Sequence, residues 1–337
     1  MKKIVFIFYF FVFSFICIQA QLPVSDVDFN EKNVRYPDKE MFRVAKYKGD
    51  KTAAISYTFD DGLAEHFSLV FPAFEKLGFK GTFWINGRAL SDTAFQRGIP
   101  RVTWKQLKKM AKRRHEISSH GWAHRNITKL SLEELRYELQ HNDTAIFLIT
   151  GVFPRTFCYP GNAKNDNVIA VVESDRIASR THLFDVGGKI TDENLEKQIA
   201  ELVANGNWCV TMTHGITYGY DCFFDANVLW RHLQKVKAQE DKIWIGTFAE
   251  VAAYMKERQN FTFETKKTDN GFIISPHLSL NKNLFTEKLT MVFEMQVTTK
   301  ITVKQGNKKL KTKALPGKIL FDIDPSGGTI DVKLFTI

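Results

Sequence analysis

Between residues 53 and 258, short apolar and β-branched runs alternate about seven times with segments of helical period, joined by short connections. That alternation leaves few architectures open. Each strand is followed by a helix that must pack back onto it, which yields a parallel sheet covered by helices. The spacing predicts strands over residues 53–59, 81–86, 116–119, 155–159, 176–184, 208–213 and 243–246. Helices are expected over 63–77, 103–114, 131–149, 167–174, 194–205, 226–239 and 248–258. Thr103 and Ser131 read as N-caps, Ser131 with Glu134 three residues on forming a capping box, and Gly78 reads as a stop. Every unusual polar residue falls just after a strand. In barrels of this kind the strand ends at one face carry the chemistry, because they feed loops into a common mouth.

The flanks read differently. Past residue 260 the pattern is alternating, with turns at Asn270-Gly271, Gly306-Asn307 and Gly327-Gly328 and no helical period, as in a small β-sandwich. Residues 1–20 carry Lys2 and Lys3, an apolar run and a small-residue exit at Ala20, the layout of a secretory signal peptide. Residues 21–50 are polar, with Pro23 and Pro37, and are expected to be an irregular lead-in. With 337 residues, one large unit and a smaller one are anticipated, over 51–259 and 260–337. The reading is therefore of a secreted or periplasmic protein with no membrane span once the signal is cleaved. Oligomeric state is not legible. The net charge is +10, with small lysine clusters including residues 308–313, but no aromatic-interleaved basic helix, so nucleic acid is not an expected partner. An acidic envelope or polysaccharide suits such a surface as well as solvent does. Cys158, Cys209 and Cys222 remain after processing; none has paired zinc-finger spacing, and one disulfide with one free thiol is compatible with export.

The first strand runs into Asp60-Asp61-Gly62. Side chains alternate along a strand, but a turn can aim both acids into one cleft, and two such charges ionise together cheaply only beside a cation or proton. Alone, Asp-Asp-Gly is compatible with a solvated turn. His120 and His124 lie four residues apart after another strand, and His214 follows a third. One Asp and two His suit a borderline divalent ion and leave positions open for water and substrate.

Joined together, these stretches resemble the polysaccharide deacetylases, the NodB-homology or carbohydrate esterase family four group, over about residues 53–256. Thr58-Phe59-Asp60-Asp61-Gly62 matches the family's first motif, Ser119-His120-Gly121-Trp122-Ala123-His124 its second, and Met212-Thr213-His214 resembles its late Leu-x-His motif. The resemblance implies an irregular (β/α)7 barrel of NodB type, here with a small C-terminal β-sandwich-like domain. It implies Asp60 as general base, Asp61, His120 and His124 as metal ligands, His214 as general acid, and the Gly161 N–H as oxyanion donor. The third motif departs: Phe157-Cys158-Tyr159-Pro160-Gly161-Asn162 has Cys158 where many members carry an arginine that braces the base. The acid that supports the catalytic histidine is not clearly present, with Asp185 and Arg180 as nearby candidates. Tyr159, Asn162, Trp122 and Tyr218 are the expected substrate contacts.

The implied function is a metal-dependent hydrolase removing acetyl groups from an N-acetylated glycan resembling peptidoglycan or chitin. The ion is zinc in the first instance, with cobalt, nickel or manganese accepted by the same ligand set. An O-acetyl esterase on xylan and a non-catalytic carbohydrate-binding envelope protein are the alternatives, the latter favoured by the missing arginine. A small-molecule amidohydrolase of the same superfamily is a third.

Overall fold

The computed structural model describes residues 41–91, 98–295 and 299–336. The signal peptide read over residues 1–20 lies outside them, as does most of the lead-in. The strands are β1 (Phe42–Val44), β2 (Ala53–Ser56), β3 (Thr58–Phe59), β4 (Thr82–Ile85), β5 (Glu116–Ser119), β6 (Thr156–Cys158), β7 (Ala178–Arg180), β8 (Phe184–Asp185), β9 (Trp208–Met212) and β10 (Ile243–Ile245). The helices among them are α1 (Phe71–Leu77), α2 (Gly87–Ser91), α3 (Trp104–Lys112), α4 (Leu132–Thr150), α5 (Asp166–Glu173), α6 (Asp192–Asn205), α7 (Asn227–Lys237) and α8 (Phe248–Gln259). The expected N-cap at Thr103 and capping box at Ser131 form, the former also as a capping box, and Gly78 ends α1 in the left-handed region, where glycine meets no Cβ penalty.

Two all-parallel sheets make an irregular barrel, as anticipated. One runs β3-β4-β5-β6-β7 and the other β10-β2-β9-β8. They join at β2 and β3, one strand interrupted at Tyr57: Asp60 N–H donates to the Thr213 carbonyl and Thr213 N–H to that of Thr58. On the far side β7 has no strand partner beyond β6, and the stub β8 pairs with β9 only at Thr211 and Met212. A cavity of about 480 Å³ opens at this seam, lined among others by Phe184, Gln198, Trp208 and Phe248.

Alternation sorts the barrel side chains. Phe59, Phe83, Ile85 and Ile117 face the helices, where they join Phe74, Leu107, Ile199 and Leu233 in a continuous core. Trp84, Cys158 and Ala178 point inward and pack on Phe248 and Ala252 of α8. The N-terminus of α8 plugs the barrel base: Phe248 N–H donates to Thr82 Oγ1 and Ala249 N–H to Glu116.

Beyond α8 come β11 (Phe261–Thr268), β12 (Gly271–Leu278), β13 (Leu289–Glu294), β14 (Thr299–Gln305), β15 (Lys308–Lys309), β16 (Thr312–Leu315), β17 (Lys318–Ile323) and β18 (Ile330–Thr336). They form two antiparallel sheets, β11-β12-β18-β14-β15 and β1-β13-β17-β16, around a core of Phe261, Ile274, Met291, Phe293 and Val332. The lead-in read as irregular through residue 50 is corrected here. Its Phe42–Val44 stretch pairs with β13, and Phe42 stacks on Phe293 with ring centroids 4.4 Å apart. Three residues are too short for a strand signal; a partner at the other end of the chain makes the strand.

Candidate active site

The mouth of the barrel is built where β3, β5, β6, β7 and β9 end. Asp60 is buried at the end of β3 and faces inward, as alternation from Thr58 requires. Asp61 then takes φ 73° and Gly62 φ 63°, so the turn breaks the alternation and swings Asp61 toward the same mouth. Asp61 Oδ1 lies 3.6 Å from His120 Nε2 and 3.5 Å from His124 Nε2, and accepts a hydrogen bond from Asn86 Nδ2 at 2.9 Å. Arg101 donates to the Asp61 carbonyl at 2.7 Å. Burial alone would raise the Asp61 pKa, but His120, His124 and Arg101 outweigh it and hold the carboxyl below its ordinary value.

The donor atoms of Asp61, His120 and His124 all lie within 4.8 Å of one another. His120 Nδ1 sits 2.9 Å from the Cys158 carbonyl, which fixes that nitrogen as the proton donor and leaves Nε2 free toward Asp61. Burial keeps the His120 imidazole neutral, with its pKa pushed down to about 4, despite the pull of Asp60. Two imidazole nitrogens converging on one carboxylate fit a divalent cation.

Asp60 has a different neighbourhood. Arg180, buried at the end of β7, grips it with both guanidinium nitrogens at 2.7 and 2.5 Å and also donates to Thr58 Oγ1. Burial would raise the Asp60 carboxyl, yet Arg180, His120 and His214 hold it at about 2. Here the reading of a missing brace is corrected. Cys158 and Arg180 stand in register on adjacent parallel strands and both face inward. The small thiol, 3.8 Å from Asp60, leaves the space through which the arginine of the next strand reaches the base. Cys158, Cys209 and Cys222 are all free thiols.

His214 Nε2 lies 3.9 Å from Asp60 on the opposite rim. Two residues after the first motif fix it: His66 Nε2 contacts the His214 carbonyl at 2.8 Å, and buried Glu65 accepts from the N–H groups of Ile216 and Thr217. Tyr220, exposed, meets the His214 ring edge-on at 5.0 Å. Asp185 lies beside Asp221; burial and that second carboxyl raise its pKa above the ordinary value.

The other expected contacts divide. Gly161 takes φ 60° in the turn after β6, and exposed Asn162 approaches the Met212 sulfur, so both are at the rim. Tyr218 reaches the carbonyl of Pro100, beside Arg101. Tyr159 is corrected as a substrate contact: one residue past inward-facing Cys158, it turns outward, is fully buried and donates to Ser179. Trp122 is half-buried. Its ring packs over Gly87 and edge-on to His141 at 4.2 Å, in the seam between α2 and α4. His182 lies outside the mouth, on the side cavity.

Sequence reasoning missed Arg180 as the brace, Asn86, Arg101, and a supporting layer on α4. Buried Glu138 accepts from Ala123 N–H, holding the loop that bears His120 and His124. Asn142, four residues on, accepts from Gly87 N–H and donates to Ile85 and Ser119. Two polar residues at i and i+4 on the buried face of α4 were the available signal.

With this geometry in place, the comparisons are informative. The family model described as polysaccharide deacetylase matches residues 47–178. Over 126 residues the chain is 29% identical to peptidoglycan-N-acetylglucosamine deacetylase PgdA of Listeria monocytogenes, covering 37% of this chain and 24% of that protein. The chain thus spans about a quarter of the length of the curated relatives it matches. A putative polysaccharide deacetylase from Mycobacterium smegmatis has the same fold, with a TM-score of 0.53 at 14% identity over 67% of this chain and 98% of that one. The likeness to the polysaccharide deacetylases extends over residues 47–178, within the α/β part of the chain.

Proposed function

We propose that the protein is a metal-dependent hydrolase that removes acetyl groups from N-acetylated amino sugars in a peptidoglycan-like polymer. The observation that carries this reading is the adjacency of two devices: the Asp61, His120 and His124 cluster, and an ionised Asp60 held by Arg180 with His214 across from it. The relative that deacetylates peptidoglycan supports the substrate class. In this reading residues 51–259 are the catalytic unit and 260–337 an accessory one, and a leader over residues 1–20 brings both to a substrate outside the cytoplasm.

Asp61, His120 and His124 would hold the ion. When bound, a divalent cation there supplies Lewis-acid polarisation of the acetyl carbonyl and a water of lowered pKa. Asp60, kept ionised by Arg180, accepts a proton from the attacking water. The carbonyl oxygen gathers negative charge, which the Gly161 N–H stabilises as a donor. His214 protonates the amine nitrogen as the C–N bond breaks, so acetate and a free amine leave. The ligand set accepts zinc, cobalt, nickel or manganese, with zinc the preferred assignment.

The missing motif-three arginine favoured a non-catalytic protein alongside the β-rich appendage, and Arg180 removes the first of these supports. The test is acetate release from peptidoglycan fragments and chitooligosaccharides, with and without chelator. Release is expected to vanish on chelation, return with added metal, and fall at least about a hundredfold in Asp61→Ala. Activity that survives both treatments overturns the reading.

A further inference from the structure

Residues 300–318 contain seven lysines and no aspartate or glutamate. Lys318 pairs with Asp50 at 2.6 Å, but Lys300, Lys304, Lys308, Lys309, Lys311 and Lys313 are exposed and make no ion pair among the described residues. Topology gathers them. The two-residue β15 is the edge of one sheet and β16 the edge of the other, and the short link between them runs along one side of the sandwich. Lys304 stands directly opposite Lys309 on one side and Asp331 on the other, so two like charges share one face with a single carboxylate.

Edge protection accounts for part of this, since lysine on an edge strand discourages strand addition. It does not account for Lys304, which lies on β14 where that strand is flanked by both β18 and β15. On the same face, directly opposite Lys300, Phe335 leaves an exposed aromatic ring.

We propose that this side of the sandwich is an electrostatic docking surface for an acidic polysaccharide, a glycan with negative groups spaced along its chain. The lysines are compact point charges that follow a flexible polyanion without demanding a fixed fork geometry. Residues 300–318 carry no arginine fork for a guanine edge, and the Gln305 amide is already bonded to Asp324 and Gly328. The hairpin tip, Gly306-Asn307, offers no apolar side chain for insertion into a bilayer. The sandwich packs against α8 at the barrel base, away from the mouth, so the surface retains the polymer rather than adding a subsite to the centre. Such retention raises the effective concentration of substrate at the mouth.

Choosing a glycan as the occupant rests on the deacetylase reading, but binding is measured without turnover, so the two fail separately. The full chain is titrated with polygalacturonate, with neutral dextran, with duplex DNA and with phosphatidylglycerol vesicles at matched charge. Polygalacturonate is expected to bind, dextran not to, and affinity to fall roughly fiftyfold between about 50 and 200 mM salt, as release of counterions by about four lysines requires. A variant with Lys304→Gln, Lys308→Gln, Lys309→Gln and Lys311→Gln is expected to bind at least tenfold more weakly. Its melting temperature should be unchanged or higher, and its acetate release from a short soluble substrate should be intact. Wild-type binding by that variant, or tighter binding to DNA or vesicles than to polygalacturonate, overturns the proposal.

Discussion

At the level of single residues, the centre depends on how a base is kept charged in a buried place. A carboxylate shielded from water shifts toward its neutral form, and Arg180 reverses that for Asp60. Removing one partner of a buried ion pair leaves the other unpaired, at about 3–5 kcal/mol. Arg180→Ala is therefore expected to lower both melting temperature and kcat. It should also move the acidic limb of the pH–rate profile to higher pH, because Asp60 no longer holds its low pKa. Arg180→Lys keeps the charge without the fork and should fall between. Since positions 158 and 180 are in register and both face inward, Cys158→Arg combined with Arg180→Ala is expected to recover part of kcat with KM little changed. An unchanged pH profile in Arg180→Ala would show that the guanidinium does not set the state of the base. The brace was not legible in the sequence because it is a matter of which neighbouring strand sends a side chain into a shared interior. The ligands were legible because turn chemistry and spacing put them there: Asp60-Asp61-Gly62 after one strand, and His120 and His124 after another.

Among the elements, α8 links the two halves of the molecule. Its first turn is held by Glu116, half-buried at the start of β5, which accepts from Ala249 N–H, Thr82 Oγ1 and Thr156 Oγ1. Burial is the larger influence on Glu116 and raises its pKa above the ordinary value, against these donors. Glu116→Ala removes the acceptor of the Ala249 N–H and of the buried Thr82 hydroxyl, at about 1–3 kcal/mol each, while the Thr156 hydroxyl can turn to Ser118 Oγ. Urea denaturation is expected to show a loss of several kcal/mol, with Glu116→Gln losing less because one acceptor oxygen remains. A loss below 1 kcal/mol in Glu116→Ala would mean that α8 docks through Phe248 and Ala252 alone. Helices and barrel strands were readable from period and caps, since those signals are local. The place of Phe42–Val44 was not, nor was the outward turn of Tyr159, which depends on where β6 begins its alternation.

Across the whole molecule, buried neutral imidazoles set the acid limit. Burial is the main cause that pushes His66, His115 and His232 down to about 4. Each folded-state pKa lies below the unfolded value near 6.5, so the native state binds fewer protons than the unfolded one in that window. Stability from these groups is complete above pH 6.5 and is lost as pH falls toward 4, each contributing up to about 1.4 kcal/mol per pH unit. Melting temperature is expected to drop over that range, and His232→Gln, which keeps an acceptor for the Tyr57 hydroxyl, should flatten the slope. Stability that is level or rising between pH 6.5 and 4 would exclude this account.

The pairing of β1 with β13 has a consequence for synthesis. Domains generally fold as they emerge, N-terminal parts first, and every barrel strand leaves the ribosome before residue 289. Phe42 therefore meets no stacking partner until Phe293 has been made. The accessory unit begins and ends the described residues and closes last, over a barrel whose base it must find already plugged. A substitution that slows barrel closure will show first as exposed, aggregation-prone strand edges at the two ends of the polypeptide, far in sequence from the site of the change.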